Sequence, residues 1–214
     1  MTQRHDDEDK RHIRLTAPFP TFELQEKDES MASNILKELL TRNSKFTQNF
    51  KAPPDLMTMA AAVRNSGSGV IILSCSDPRL NPYQIFGVDP SIKGVTMVRN
   101  AGGRALDAIR TISVLQTIGN PKIVLVVHHT DCGMTHYHDA DIKDALLQIA
   151  PKEKDTINSM KYGEIVGTIE ESLREDVALL RTSPLVKPGT WIVGLKYDTG
   201  TGVVTQIEEV HAGQ

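Results

Sequence analysis

The segment SCSDPRL places a cysteine, an aspartate and an arginine at alternate positions, directly after the apolar run at residues 70–73. Residues two apart in an extended chain point to the same side, so we expect Cys75, Asp77 and Arg79 to project together. Pro78 favours this geometry, because the residue before a proline is restricted to extended conformations. The spacing therefore offers a thiolate, a carboxylate and a guanidinium on one face, and the thiolate is a strong candidate metal ligand.

The second of the chain's two cysteines also follows an apolar run, at residues 123–127. His129 and Cys132 lie three residues apart across a predicted turn, which is close enough for both to bind one ion. Two sulfur ligands and one imidazole suit Zn²⁺, and a Cys₂His set with a free fourth position occurs at catalytic zinc sites. The sequence therefore predicts that the ends of two strands meet and that Cys75, His129 and Cys132 hold zinc.

Three other interpretations of the cysteines remain open. A buried free cysteine often serves as a small hydrophobic residue, and Cys75 could instead form a disulfide with Cys132. A disulfide is disfavoured because two cysteines without a secretion signal indicate a reducing compartment, where thiols more often bind metals or catalyse reactions. The third interpretation is a purely structural zinc, with Asp77 closing the site as the fourth ligand.

The residues near these motifs have less specific interpretations. His128 should point away from the predicted ligand beside it and is interpreted as a packing or solvent residue. His136 and His138 could relay protons to solvent, although surface histidines are the simpler interpretation. Asp131 is expected to cap a helix that starts shortly after it. The glycines of NAGG, at residues 100–103, are expected to let the backbone approach the metal site closely.

The composition predicts one domain with no nucleic-acid or membrane partner. The 214 residues fit a charged N-terminal arm at residues 1–30 and a single zinc-binding domain at residues 31–214. The net charge is −3 and the pI is near 6.2, and no basic stripe exists that could neutralise phosphates. No apolar stretch approaches the roughly 20 residues of a membrane span. The polar N-terminal sequence lacks a secretion signal, so we expect a cytoplasmic protein.

The hydrophobic pattern indicates alternating strands and helices. Apolar runs predict strands at 70–74, 94–98 and 123–128, and a hairpin that pairs 191–197 with 203–209. Helical periodicity predicts helices from Met31, from Asp55, over 105–118 and over about 168–180. The pattern is typical of an α/β fold with a mostly parallel central sheet, flanking helices and an antiparallel C-terminal edge hairpin. Such folds bind ligands at the carboxyl ends of their strands, where both cysteines lie.

C-x-D-x-R after one strand and H-x-x-C after a later strand resemble the zinc motifs of the β-class carbonic anhydrases. The stretches MVRNAGGRA (97–105), HTDCGM (129–134) and YDTGTGVV (197–204) are also similar to that family, and the similarity covers about residues 35–210. The resemblance, which is to the compact branch of the family, implies a β-carbonic-anhydrase-like fold with zinc as the cofactor. It also implies a homodimer or a tetramer of dimers, in which the N-terminal arm reaches a partner subunit.

The resemblance further implies roles for individual residues. Cys75, His129 and Cys132 would bind Zn²⁺, and Asp77 would either fill the fourth ligand position or pair with Arg79 and leave that position to water. The implied activity is the reversible hydration of carbon dioxide to bicarbonate by zinc-bound hydroxide. Asp77 and Arg79 would be the catalytic residues that orient this nucleophile through a two-pronged hydrogen bond.

Two alternative functions remain open on this sequence. Relatives on the same scaffold hydrolyse carbonyl sulfide or carbon disulfide, and a methyl-sized difference in an apolar pocket changes binding by only about 1–3 kcal/mol. An alternative of another class is a non-catalytic zinc-stabilised oligomer, in which Asp77 would stay on the metal at every pH.

Overall fold

The computed structural model describes residues 26–89 and 94–213, which form a five-stranded sheet with helices around it. The strands are β1 (Val70–Cys75), β2 (Val95–Asn100), β3 (Ile123–His129), β4 (Trp191–Tyr197) and β5 (Val204–His211). The α-helices are α1 (Glu26–Thr47), α2 (Leu56–Ser66), α3 (Pro82–Ile85), α4 (Ala105–Ile118), α5 (Asp139–Ile149), α6 (Lys154–Ser159) and α7 (Ile169–Thr182). Short 3₁₀ turns occupy Ala101–Gly103, Gly133–Thr135 and Pro151–Glu153.

The order of the strands across the sheet is β2-β1-β3-β4-β5, and only the β4–β5 pair is antiparallel. The fold class predicted from the sequence is therefore confirmed. β1 and β3 are neighbours, with Ser74 opposite Val127, so the loops that follow these two strands leave the same edge of the sheet side by side. This register brings the two predicted motifs together.

Apolar side chains on one face of the sheet form the main core with α4 and α7. Ile71 and Leu73 of β1 pack in this core with Ile112 of α4 and Leu173 of α7, and all four are fully buried. Ile72 lies between them in sequence and belongs to a second cluster, as the alternation of a strand requires. Because each buried aliphatic side chain contributes about 1.5–3 kcal/mol, this packing fixes the strands that carry the site.

Capping residues define the helix ends that flank the core. Thr168 and Glu171 form a reciprocal capping box at the start of α7, which contributes about 1 kcal/mol. Asp55 accepts a hydrogen bond from the Thr58 backbone N–H at the start of α2. Gly67 ends α2 with φ of 64°, a left-handed conformation that glycine adopts without strain.

The predicted elements agree with the structure to within a few residues at most ends. α4 has the predicted bounds, and β1 and β3 each continue one residue further, so that Cys75 and His129 are the last residues of their strands. The helix predicted from Met31 begins at Glu26, and residues 1–25 of the predicted arm lie outside the described residues. The division into an arm and one domain stays a prediction.

Three helices were missed in the sequence. α3 has four residues and α6 has six, which is too short for a periodic pattern to be recognised. α5 has eleven residues, and the helical spacing of Ile142, Ala145, Leu146 and Ile149 was overlooked. Within residues 26–89 and 94–213, no helix has both the length and the apolar character that crossing a bilayer requires.

Candidate metal centre

Three potential metal ligands converge at the carboxyl ends of β1 and β3. Cys75 ends β1, His129 ends β3, and Cys132 lies in the loop that follows β3. Their ligand atoms all lie within 4.8 Å of one another, and the two sulfur atoms are 3.8 Å apart. All three side chains are buried, with relative exposures of 6%, 0% and 1%. The structure thus brings together the set that the sequence predicted to hold zinc.

The imidazole of His129 is oriented for metal binding. Its Nδ1 lies 3.0 Å from the carbonyl oxygen of Thr130, which fixes Nδ1 as the protonated nitrogen of the neutral ring. Nε2 is buried and has no hydrogen-bond partner among the described residues. An unpaired buried polar atom costs about 1–3 kcal/mol. A zinc ion bound by two thiolates and this nitrogen would remove that cost, so the donor set fits the metal.

The two thiols also interact with each other. The hydrogen bond between the two sulfur atoms lowers the pKa of Cys75. His129 and the backbone N–H groups of Asp77 and Gly102 lower that pKa further. The same interaction raises the pKa of Cys132, because its proton stabilises the neighbouring thiolate. Zinc binding must therefore displace at least the proton of Cys132.

Asp77 and Arg79 form a two-pronged ion pair beside the ligand cluster. Arg79 Nη2 donates to Asp77 Oδ2 at 2.7 Å, and Arg79 Nε donates to Asp77 Oδ1 at 3.0 Å. The Arg79 hydrogen bonds lower the pKa of Asp77 to about 2. Asp77 Oδ2 lies 4.0 Å from His129 Nε2, outside the group of three converging ligand atoms. Of the two arrangements considered from the sequence, the structure contains the Asp77–Arg79 pair.

The loop between Cys75 and Asp77 is held by β2 and by the turn that follows it. Arg99 of β2 donates to the carbonyl oxygens of Cys75 at 3.0 Å and Asp77 at 2.7 Å. Gly103 packs so closely that a Cβ there would lie 2.9 Å from the Cys75 nitrogen. The close approach expected of the NAGG glycines is confirmed. The hydrogen bonds that Arg99 donates to this loop were not predicted from the sequence. The one signal was that Arg99 lies in MVRNAGGRA, a stretch that is similar to the family.

Asp131 contacts Arg79 and does not cap a helix. The backbone of Asp131 is left-handed, with φ of 54°, and the 3₁₀ turn at Gly133–Thr135 has no side-chain cap. Asp131 Oδ2 accepts a hydrogen bond from Arg79 Nη1 at 2.6 Å, while Oδ1 lies 2.9 Å from His136 Nε2. The predicted cap is therefore wrong, because the positive φ turns the carboxylate toward the first motif.

His128 and His138 are outside the group of three ligands and contact other acidic residues. His128 is fully buried, with Nδ1 2.8 Å from the Ser172 hydroxyl oxygen and Nε2 3.1 Å from Asp176 Oδ2. The contact with Asp176 lies within ion-pair distance, but its geometry is not that of a hydrogen bond. His128 therefore links β3 to α7, which confirms its interpretation as a packing residue. His138 is partly exposed and pairs with Glu164.

Comparisons with known proteins agree with this site. The sequence matches the family described as carbonic anhydrase over residues 70–204, which include all three converging ligands. It is 26% identical to β-carbonic anhydrase 1 of Mycobacterium tuberculosis over 174 residues, which cover 81% of this chain and 98% of that protein. It is 31% identical to a carbon disulfide hydrolase of Acidianus sp. over 150 residues, which cover 61% of this chain and 72% of that protein.

Solved structures show the same similarity in three dimensions. The carbonic anhydrase of Streptococcus mutans superimposes with a TM-score of 0.66 at 27% identity, covering 81% of this chain and 97% of that one. A carbonic anhydrase from Glaciozyma antarctica superimposes with a TM-score of 0.63 at 28% identity, covering 78% of this chain and 95% of that one.

Proposed function

The chain belongs to the β-carbonic anhydrase family, as its two motifs predicted, and on that premise we propose that it catalyses the reversible hydration of carbon dioxide to bicarbonate. The observation that best supports this activity is the arrangement of the three buried ligands beside an Asp77 that pairs with Arg79. Because Asp77 is outside the ligand cluster, a metal ion held by these three residues would be able to bind a solvent molecule as well.

The ligand residues and the ion pair would have separate roles. Cys75, His129 and Cys132 would hold zinc, which supplies a Lewis acid that lowers the pKa of water. Asp77 stays ionised at neutral pH, because its pKa is about 2. Its carboxylate therefore orients the attacking water by accepting a hydrogen bond, and it does not act as the proton donor. Arg79 fixes the direction of that carboxylate through two parallel hydrogen bonds.

The test is a stopped-flow hydration assay of zinc-loaded and metal-free protein between pH 6.5 and 9, together with metal analysis. We expect hydration in proportion to bound zinc. Full activity in protein without metal, or no hydration by the fully zinc-loaded protein, would reject the proposal. A zinc-loaded protein that acts on none of carbon dioxide, carbonyl sulfide and carbon disulfide would instead favour the non-catalytic zinc-stabilised oligomer.

Hydrolysis of carbon disulfide or carbonyl sulfide is the second candidate. It is supported by the 31% identity to the carbon disulfide hydrolase of Acidianus sp., which is higher than the identity to β-carbonic anhydrase 1. Parallel assays with carbon dioxide, carbonyl sulfide and carbon disulfide on one zinc-loaded preparation distinguish the two activities. Sulfide release that far exceeds carbon dioxide hydration would reverse the order of the two candidates.

We also propose that the chain forms a homodimer or a tetramer of dimers. Large apolar side chains along and just after α1 are more than half exposed, among them Leu39, Leu40 and Phe46. An exposed apolar surface of this kind is typical of a protein–protein interface. The fungal β-carbonic anhydrases from Sordaria macrospora, which share the fold, are tetrameric. Light scattering during size-exclusion chromatography tests the proposal, and a monomer at micromolar concentration would contradict it.

A further inference from the structure

Arg79 has hydrogen-bond acceptors on two sides. On one side it donates to the carboxylate of Asp77. On the other side, Nη1 donates to Asp131 Oδ2 at 2.6 Å and Nη2 donates to the Asp131 carbonyl oxygen at 2.7 Å. The Arg79 side chain is 50% exposed, that of Asp77 is 12% exposed and that of Asp131 is 59% exposed. A half-exposed arginine loses side-chain entropy when it is held in one geometry, and the second pair of hydrogen bonds adds to the first in holding the guanidinium there.

Asp131 is itself fixed by its backbone and by His136. Its φ of 54° lies in the left-handed region, which Asp and Asn adopt more readily than most residues. In this conformation its carbonyl oxygen and one carboxylate oxygen both face Arg79. The other carboxylate oxygen lies 2.9 Å from His136 Nε2. Each carboxylate oxygen thus has one partner, so the side chain is held in the orientation that Arg79 requires.

Arg79 is the residue that orients the Asp77 carboxylate. Among the described residues, every hydrogen bond that the Asp77 carboxylate accepts comes from Arg79, through its side chain and its backbone N–H. Asp77 Oδ2 is only 4.0 Å from His129 Nε2. An Asp77 carboxylate released by Arg79 would therefore need only a small rotation to bind the metal at the fourth position.

We propose that Asp131, held by His136, is the positioning residue that keeps Arg79 on Asp77 and so keeps Asp77 out of the fourth ligand position. The consequence for catalysis rests on the proposed carbon dioxide hydration, because an Asp77 on the metal would exclude water from it. The second motif would then contribute two ligands, His129 and Cys132, and also Asp131 as the residue that orients the ion pair.

Two substitutions at Asp131 test this inference. Asp131→Gly removes the carboxylate and still permits the positive φ. Asp131→Asn retains the left-handed preference and one acceptor oxygen, but it removes the charge. The matched control is Glu175→Gln. Glu175 is an exposed carboxylate that forms an ion pair with Arg104. When Glu175 is substituted, Arg104 retains its ion pair with Asp176, just as Arg79 retains its ion pair with Asp77 when Asp131 is substituted.

We expect Asp131→Gly to lower kcat/KM for carbon dioxide hydration by about 10- to 100-fold, which is typical when a residue that orients a metal-site group is lost. Zinc content should stay at the wild-type level, and crystal structures of the zinc-loaded proteins at one pH should show Asp77 bound to zinc only in the variant. Asp131→Asn should give a smaller loss, and Glu175→Gln should stay within about twofold of wild type.

Wild-type activity in Asp131→Gly would overturn the inference, and so would lost activity with the Asp77–Arg79 pair unchanged in the crystal. If Asp131→Gly does not fold or does not bind zinc, the same two measurements on Asp131→Asn, its activity and the position of Asp77 in the crystal, test the inference. If zinc-loaded wild-type protein does not hydrate carbon dioxide, the proposed function fails. In that case the position of Asp77 in the two crystal structures still decides the inference about Asp131.

Discussion

Cys75 Sγ lies 3.8 Å from Cys132 Sγ although 57 residues separate the two cysteines, and both thiols are free. The proximity is a consequence of the sheet, because β1 and β3 are parallel neighbours whose following loops leave the same edge. His129 completes the set as the last residue of β3. No short segment of the chain contains all three candidate ligands, so metal binding by this set would be coupled to formation of the β1–β3 pair.

Cys132→Ser should abolish stoichiometric zinc binding, because a hydroxyl is a poor substitute for a thiolate on zinc. Zinc that binds only the folded protein stabilises it, by about 2.7 kcal/mol at a free concentration of 100 times Kd. A strong chelator should therefore lower the Tm of the wild-type protein but leave that of the variant unchanged. Metal analysis after dialysis and thermal unfolding with and without chelator are the measurements. Full zinc content in the variant would contradict Cys132 as a ligand.

Arg79→Ala should lower carbon dioxide hydration by about 100-fold while zinc stays bound, because Asp77 loses the group that orients it. The matched control is Arg174→Ala. Arg174 has a similar side-chain exposure, 54% against 50%, and pairs with Glu208 at 3.6 Å on α7 and β5, away from the ligand cluster. The control should retain the wild-type rate. Unchanged hydration in Arg79→Ala would remove the ion pair from the proposed mechanism.

The fold and the three candidate ligands that converge in it were predictable because they depend on local patterns. Apolar runs identified β1 and β3, and the types and spacing of Cys75, His129 and Cys132 indicated zinc before their convergence was known. The motif resemblance identified the family that the comparisons confirm. The pairing of Asp77 with Arg79 was one of two stated alternatives, and only the distances between side chains distinguished them.

The contacts that support the ligands were not predictable. Asp131 was expected to cap a helix, because Asp is favoured at that position. Asp is also favoured at positive φ, and the structure has Asp131 in that conformation, which directs it to Arg79 instead. The hydrogen bonds of Arg99 depend on the β1–β2 register, in which Ser74 lies opposite Arg99. Both cases require knowledge of where a distant segment lies in space, which composition and periodicity do not contain.

Gly103→Ala should destabilise the protein by about 2 kcal/mol or more. Gly103 has φ of 71°, which is strained for residues with a side chain, and a new Cβ would lie 2.9 Å from the Cys75 nitrogen and 3.1 Å from the Val127 carbonyl oxygen. Gly133→Ala is the matched control, since no atom lies within 4 Å of its Cβ position. It should change stability by no more than about 0.5 kcal/mol. Urea unfolding in excess zinc measures the free energy of unfolding of both variants. Equal values for the two variants would contradict the close packing at Gly103.

The ion pair between His138 and Glu164 should make a pH-dependent contribution to stability. The Glu164 carboxylate raises the pKa of His138 above its value in the unfolded chain, which is about 6.5. The folded protein therefore holds this proton more tightly, so the contribution is complete below about pH 6.5 and is lost as the pH rises through the higher folded-state value.

His138→Gln should accordingly lower Tm more at pH 6 than at pH 9. Thermal unfolding of both proteins in excess zinc measures the difference at each pH, and comparison at a single pH cancels the effect of pH on zinc binding. Glu164→Gln and the double variant show whether the effect belongs to the pair, because the coupling between the two substitutions should be weaker at pH 9 than at pH 6. A difference in Tm that is constant from pH 6 to pH 9 would show that His138 stabilises the fold as a neutral side chain.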